Sequence, residues 1–126
     1  MVIGDHKKYL SAFITFKTAM ADPQSEPTTE LSDEAKLFFK QQLGLELNTT
    51  EEAIKEHQVL TFIQKCMDET NKFSISRASQ VRKFKLLPLD FTIAGGEMTP
   101  TMKLKRKFVE KKYETEVAQL YEEPKL

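Results

Sequence analysis

From Tyr9 to Phe16 the side chains alternate. Leu10, Ala12, Ile14 and Phe16 fall on one side of an extended chain, and Tyr9, Ser11, Phe13 and Thr15 on the other. That period predicts a strand with apolar residues on both faces. Val2-Ile3 reads as the end of a preceding strand, and Gly4-Asp5-His6-Lys7 as a turn. A chain opening on the tail of a strand is expected to be a piece of something longer. Pro23, Ser25, Pro27 and two threonines make 21–30 a loop.

Helical spacing takes over after the loop. Ser32 can cap a helix that runs to Leu43 and closes at Gly44, with Ala35, Phe38 and Phe39 as its apolar stripe. Thr49-Thr50-Glu51-Glu52 has capping-box spacing. The strongest helical pattern follows, with Val59, Phe62, Ile63, Cys66, Met67 and Thr70 on one stripe. Cys66 lies within that stripe, so it reads as a buried structural thiol rather than a nucleophile. His57 and His6 read as surface residues. Ser76 to Lys83 is expected to be a short helix, and Phe84 to Leu87 a short strand ended by Pro88. Gly95-Gly96 mark a tight turn or a mobile loop. A last helix is expected from Leu104 to Tyr121. Val109, Tyr113, Val117 and Leu120 form its packed side, and Leu104 and Phe108 pair on another side.

The chain has 126 residues, so one domain is expected over 1–126. The fold class is α+β, a small β-sheet with helices packed around it. Apolar content of 40% and charged content of 30% fit a soluble domain. Nineteen basic residues balance nineteen acids, which gives no pointer to nucleic acid. No apolar run approaches the ~20 residues needed to span a bilayer. A single cysteine excludes an internal disulfide framework and suggests a reducing compartment. Two histidines and one cysteine, far apart, argue against a zinc site, and no metal ligand is expected. The charge is unevenly spread. Residues 21–70 hold eleven acids against four lysines, and residues 77–112 hold ten basic residues against three acids.

The chemistry is concentrated in Gly95-Gly96-Glu97-Met98-Thr99-Pro100-Thr101-Met102-Lys103-Leu104-Lys105-Arg106. Two glycines give backbone freedom, and Thr99-Pro100-Thr101 stiffens the chain before a helix. Lys103, Lys105, Arg106, Lys107, Lys111 and Lys112 follow. A lysine at the lip of a loop is a point cation for phosphate or carboxylate. Composition alone reads this run as a solvated helix face. Nucleic-acid binding would want exposed aromatics between the basic residues, and Phe108 and Tyr113 are better explained as packing. A membrane-surface helix is disfavoured by Glu110, Glu114, Glu116, Glu122 and Glu123. A phosphate-cradling Gly-x-x-x-x-Gly-Lys-Ser/Thr pattern is absent.

The string from Gly96 to Arg106 closely resembles the last motif of the adenylate-forming acyl-CoA synthetases. It is similar to the long-chain fatty acid branch, where Thr-Pro-Thr-x-Lys-Leu-Lys/Arg-Arg is typical. Ile3-Gly4-Asp5 with Lys8-Tyr9-Leu10-Ser11 resembles the strand pair that opens this family's C-terminal domain. Asn71-Lys72 through Ser76, with Gln80-Val81-Arg82-Lys83-Phe84, resembles its helix-to-strand passage. Within the branch the bubblegum type is the most similar. Most of the superfamily has Gly before the motif lysine. Here that residue is Met102, as is common in the long-chain branch.

The resemblance implies a mobile C-terminal lid of a long-chain fatty acid–CoA ligase. Such an enzyme forms an acyl-adenylate from ATP and releases pyrophosphate, and coenzyme A then attacks to give the thioester. By motif, Lys103 is implied as the adenylation lysine. Thr99, Pro100 and Thr101 would shape its loop, and Arg106 would support loop placement. Substrates of the full enzyme would be ATP with Mg2+, coenzyme A and a long-chain fatty acid, none bound by this chain alone. The family's phosphate-gripping loop, ribose-binding Asp and hinge segment have no counterpart in the sequence. The expected partner is therefore the large N-terminal domain of the same enzyme. Cytoplasmic localisation, with peripheral contact at an intracellular membrane for the full protein, is expected. The alternative is a non-enzymatic interaction module whose basic C-terminal helix binds an acidic partner or an anionic membrane surface.

Overall fold

The computed structural model describes residues 1–4, 7–20, 22, 25–74, 76 and 79–121. Among these, strand β1 (Val2–Ile3) pairs antiparallel with β2 (Leu10–Thr15), and β2 pairs parallel with β3 (Val81–Leu87). The sheet order is β1-β2-β3. Parallel strands need a long crossover. Here it contains α1 (Asp33–Leu43), α2 (Thr50–Lys55) and α3 (His57–Asn71). Two further helices, α4 (Arg106–Lys112) and α5 (Glu114–Leu120), follow the sheet. The architecture is α+β, as the pattern predicts.

The two-faced alternation of β2 has a direct outcome. Phe13 belongs to a core with Ile3, Leu87, Val109, Val117 and Leu120. Phe16, three residues on and facing the other way, packs on a second core of Leu31, Phe39, Leu47, Ala53 and Val59. The sheet thus carries α4–α5 on one face and the crossover helices on the other. Tyr9 and Tyr121 stitch the first core to the strand ends. Tyr9 donates to the Leu120 carbonyl at 2.6 Å, and Tyr121 donates to the carbonyls of Tyr9 and Ile3 at 2.8 and 3.1 Å.

Local signals set several boundaries. The Ser32 hydroxyl accepts the Ala35 N–H, and Gly44 closes α1 with φ +67°. Thr49 caps α2 by accepting the Glu52 N–H. Glu56 then interrupts the helix with extended backbone and caps α3, its carboxylate accepting the Gln58 N–H. The Lys7 N–H donates to the Gly4 carbonyl and closes the turn before β2. Asp5 and His6 of that turn lie outside the described residues, as do Ala21, Pro23 and Gln24 of the predicted loop.

Four expectations are corrected. β3 begins at Val81 rather than Phe84, so the predicted helix from Ser76 to Lys83 gives way to strand. Arg77 and Ala78 of that stretch lie outside the described residues. The cause is Asn71, whose amide donates to the Val81 carbonyl and accepts the Val81 N–H, standing in for a strand neighbour. The last helix is two, divided at Tyr113, where ψ is +33°, and it starts at Arg106 rather than Leu104. Cys66 is exposed, not buried, because the buried part of the α3 stripe stops short of it. Phe38 is 44% exposed, so Phe39 rather than both rings carries the burial of α1. No helix of the described residues is long and apolar enough to cross a membrane.

Candidate functional site

The segment after β3 folds back on itself as a short hairpin. Thr92 is buried, and its hydroxyl accepts the Gly95 N–H at 2.8 Å. The Gly96 N–H donates to the Ile93 carbonyl, completing a tight turn, with Gly96 at φ +88°. The Phe108 ring lies against that glycine. A Cβ there would come within 2.7 Å of it. The backbone of Gly96 thus favours glycine, and any side chain there would have to displace the Phe108 ring.

The hairpin then closes rung by rung. The Lys105 N–H donates to the Glu97 carbonyl at 2.7 Å, Met98 bridges Leu104, and the Thr99 N–H donates to the Lys103 carbonyl at 2.8 Å. At the tip, the Met102 N–H donates to the Thr99 carbonyl at 2.8 Å. Pro100 and Thr101 occupy the centre of that turn. Met102 follows in the left-handed region at φ +64°. A turn followed by one left-handed residue is a common three-residue hairpin connection, and its left-handed position favours glycine. The position that holds Gly in most of the superfamily resembled above thus keeps a glycine-like backbone while carrying a methionine.

Thr99 organises the tip. Its hydroxyl accepts the Lys103 N–H at 3.0 Å and shares a hydrogen bond with the Thr101 hydroxyl at 3.0 Å. Lys103 therefore has both backbone groups tied to one residue. Its ammonium makes no hydrogen bond or ion pair among the described residues, and the residue is exposed.

The basic run divides by role. Arg106 donates to the Val2 carbonyl and ties the start of α4 to β1. Lys112 pairs with Glu97. All five residues singled out in the sequence (Thr99, Pro100, Thr101, Lys103 and Arg106) lie on the hairpin tip or at the first residue of α4. Sequence reasoning missed Glu97, which is 1% exposed. The available signal was its isolation, since no other acid occurs between Asp90 and Glu110. Close to it, Tyr113 has its phenol pushed up from the usual value by burial first, then by Glu97 and Glu116.

Beside the tip lies a groove of about 450 Å³ lined in part by Met20, Phe91, Met98 and Met102. No group of three or more His, Cys, Asp or Glu side chains among the described residues could hold a metal ion.

Comparison with known proteins finds relatives along nearly the whole chain. The chain is 38% identical over 125 residues to long-chain-fatty-acid–CoA ligase ACSBG2 of Xenopus laevis, covering 98% of the chain and 17% of the relative. It is 36% identical to the human ACSBG2 over 96% of the chain and 18% of the relative. It is also 36% identical to the rat long-chain-fatty-acid–CoA ligase ACSBG1 over 99% of the chain and 18% of the relative. The chain is homologous to the bubblegum-type long-chain fatty acid–CoA ligases. It spans less than a fifth of the length of the ligases it matches. No family model and no solved structure matches it. The ligase homology extends through the hairpin, because the matches cover nearly the whole chain.

Proposed function

We propose that this segment is the mobile C-terminal lid of an ATP-dependent long-chain fatty acid–CoA ligase, and that Lys103 is the cation it delivers for adenylation. The observation that carries the reading is the contrast within one residue. Lys103 has a fixed backbone and an ammonium without a partner among the described residues. Side-chain freedom lets the charge reach a ligand, and a held backbone limits where it can go.

The chemistry suits such a group. A fatty acid carboxylate oxygen attacks the α-phosphorus of ATP, a new O–P bond forms, and the bond to pyrophosphate breaks. Two anionic groups approach each other before that bond forms. An ammonium between them relieves the repulsion most in the transition state. Thr99, Pro100 and Thr101 shape the turn that presents Lys103, and Arg106 anchors it through Val2. Coenzyme A then attacks the acyl-adenylate in a step that does not need this lysine. The rest of the ligase would supply the ATP and fatty acid sites, so the segment alone is expected to be inactive. A cytoplasmic enzyme with peripheral contact at an intracellular membrane is the matching localisation.

The test uses the longer parent chain with Lys103→Ala beside wild type. ATP–pyrophosphate exchange with a long-chain fatty acid should fall roughly 10²–10³-fold. Thioester formation from supplied acyl-adenylate and coenzyme A should survive. If both half-reactions persist unchanged, the lysine assignment is wrong. The interaction-module reading then moves ahead, and salt-sensitive binding that weakens with both Lys103→Ala and Lys111→Ala would support it.

A further inference from the structure

A carboxylate as deeply buried as that of Glu97 is costly unless it is paired. Its partner is Lys112, the last residue of α4. The Lys112 Nζ lies 3.2 Å from Glu97 Oε2 and donates to the Gly95 carbonyl at 3.1 Å. The glycine turn wraps tightly around this pair. A Cβ on Gly95 would sit 2.3 Å from Glu97 Oε2, so a side chain there would force the carboxylate to move.

The pair stands at the root of the hairpin that carries Lys103. The Glu97 carbonyl holds the Lys105 N–H, the next bridge joins Met98 to Leu104, and the next rung joins Thr99 to Lys103. On the other side, Lys112 belongs to α4, whose Val109 is fully buried in the core and whose Arg106 is bonded to β1. An apolar contact could fill the same space at less cost in desolvation, but it would allow sliding. An ion pair to a buried carboxylate, with a backbone bond beside it, defines one register.

We propose that Glu97 and Lys112 are the positioning pair of the hairpin, fixing its root against α4 so that Lys103 stands where adenylation needs it. The proposal rests on the reading of Lys103 above. It makes the pair dispensable for the coenzyme A step, which uses the same folded domain without that lysine.

The experiment compares Glu97→Gln, Lys112→Gln, the double variant of these two, Lys112→Arg and Lys103→Ala in the full-length parent chain. It reads ATP–pyrophosphate exchange, thioester formation from supplied acyl-adenylate, and the thermal midpoint. Glu97→Gln and Lys112→Gln should each lower kcat of exchange about 10- to 100-fold, the scale of a small misplacement of a reacting group. KM for ATP and the thioester step should stay within about twofold of wild type. Lys112→Arg should restore most of the exchange, and the double variant should be no worse than the poorer single one. Exchange at the wild-type rate in both glutamine variants, with Lys103→Ala inactive in exchange, overturns the pair and leaves the lysine. Equal loss of both half-reactions overturns it too, because the pair then serves folding alone. If Glu97→Gln does not fold, Lys112→Gln decides in the same terms, since that lysine side chain is 37% exposed. Silence of Lys103→Ala removes the underlying reading, and the positioning role falls with it.

Discussion

The Thr99 hydroxyl accepts the Lys103 N–H at 3.0 Å while the Thr99 N–H donates to the Lys103 carbonyl at 2.8 Å. One residue thus closes the hairpin from both its backbone and its side chain. Thr99→Val keeps the shape and deletes the acceptor. It should cost about 1 kcal/mol of stability, the net worth of a typical hydrogen bond. In the parent chain it should lower ATP–pyrophosphate exchange while Thr99→Ser remains near wild type. Thermal unfolding together with the exchange assay on both variants checks this. Equal exchange in Thr99→Val and wild type would remove Thr99 from the loop's supports.

Met102 holds a left-handed backbone that costs a residue with a Cβ about 1–2 kcal/mol. Glycine removes that cost but gives up about 0.5–1 kcal/mol more conformational entropy on folding. Met102→Gly should therefore stabilise the domain by about 0.5–1 kcal/mol, a rise of a few degrees in Tm. Met102→Ala should bring no such gain, since it keeps the Cβ. Calorimetry of the three proteins separates backbone strain from loss of the methionine side chain, which is 53% exposed.

Tyr113 gives a pH dependence with a definite sign. Its phenol is pushed above the usual value of about 10 by burial, then by Glu97 and Glu116. The folded state therefore holds this proton more tightly than the unfolded chain does. The contribution is fully present below the unfolded value and is lost as pH rises through the folded one. Wild type should lose more of its urea midpoint than Tyr113→Phe does between about pH 9 and pH 11. Ultraviolet titration should show a late tyrosine ionisation that vanishes in the variant.

The elements most legible in the sequence are those specified by local chemistry. Ser32 and Gly44 bound α1 because a hydroxyl cap and a left-handed glycine act within a few residues of themselves. The alternation of β2 is plain because both its faces meet a core. The start of β3 was hidden because a side chain ten residues earlier, Asn71, pairs with Val81. Arg82 and Lys83 look unlike a strand, yet β3 lies at an edge of the sheet, where charged residues are tolerated. The break at Tyr113 left the apolar stripe intact, so periodicity passed straight over it. Cys66 has helical spacing relative to Val59 and Ile63, but an apolar face can extend past the core that buries it. At the candidate site, the motif residues were readable as a string, and their mutual hydrogen bonds were not. Glu97 escaped because its partner lies fifteen residues away on a separate helix.

The exposed thiol of Cys66 has a practical consequence. It is the single cysteine of the sequence, and it projects from α3 on the side of the sheet away from the α4–α5 core. A maleimide dye or spin label would attach to this segment at one defined point. The domain therefore carries its own handle for distance measurements between paired probes. With a second label elsewhere in a longer parent chain, those distances would test the swing that the proposed lid role requires.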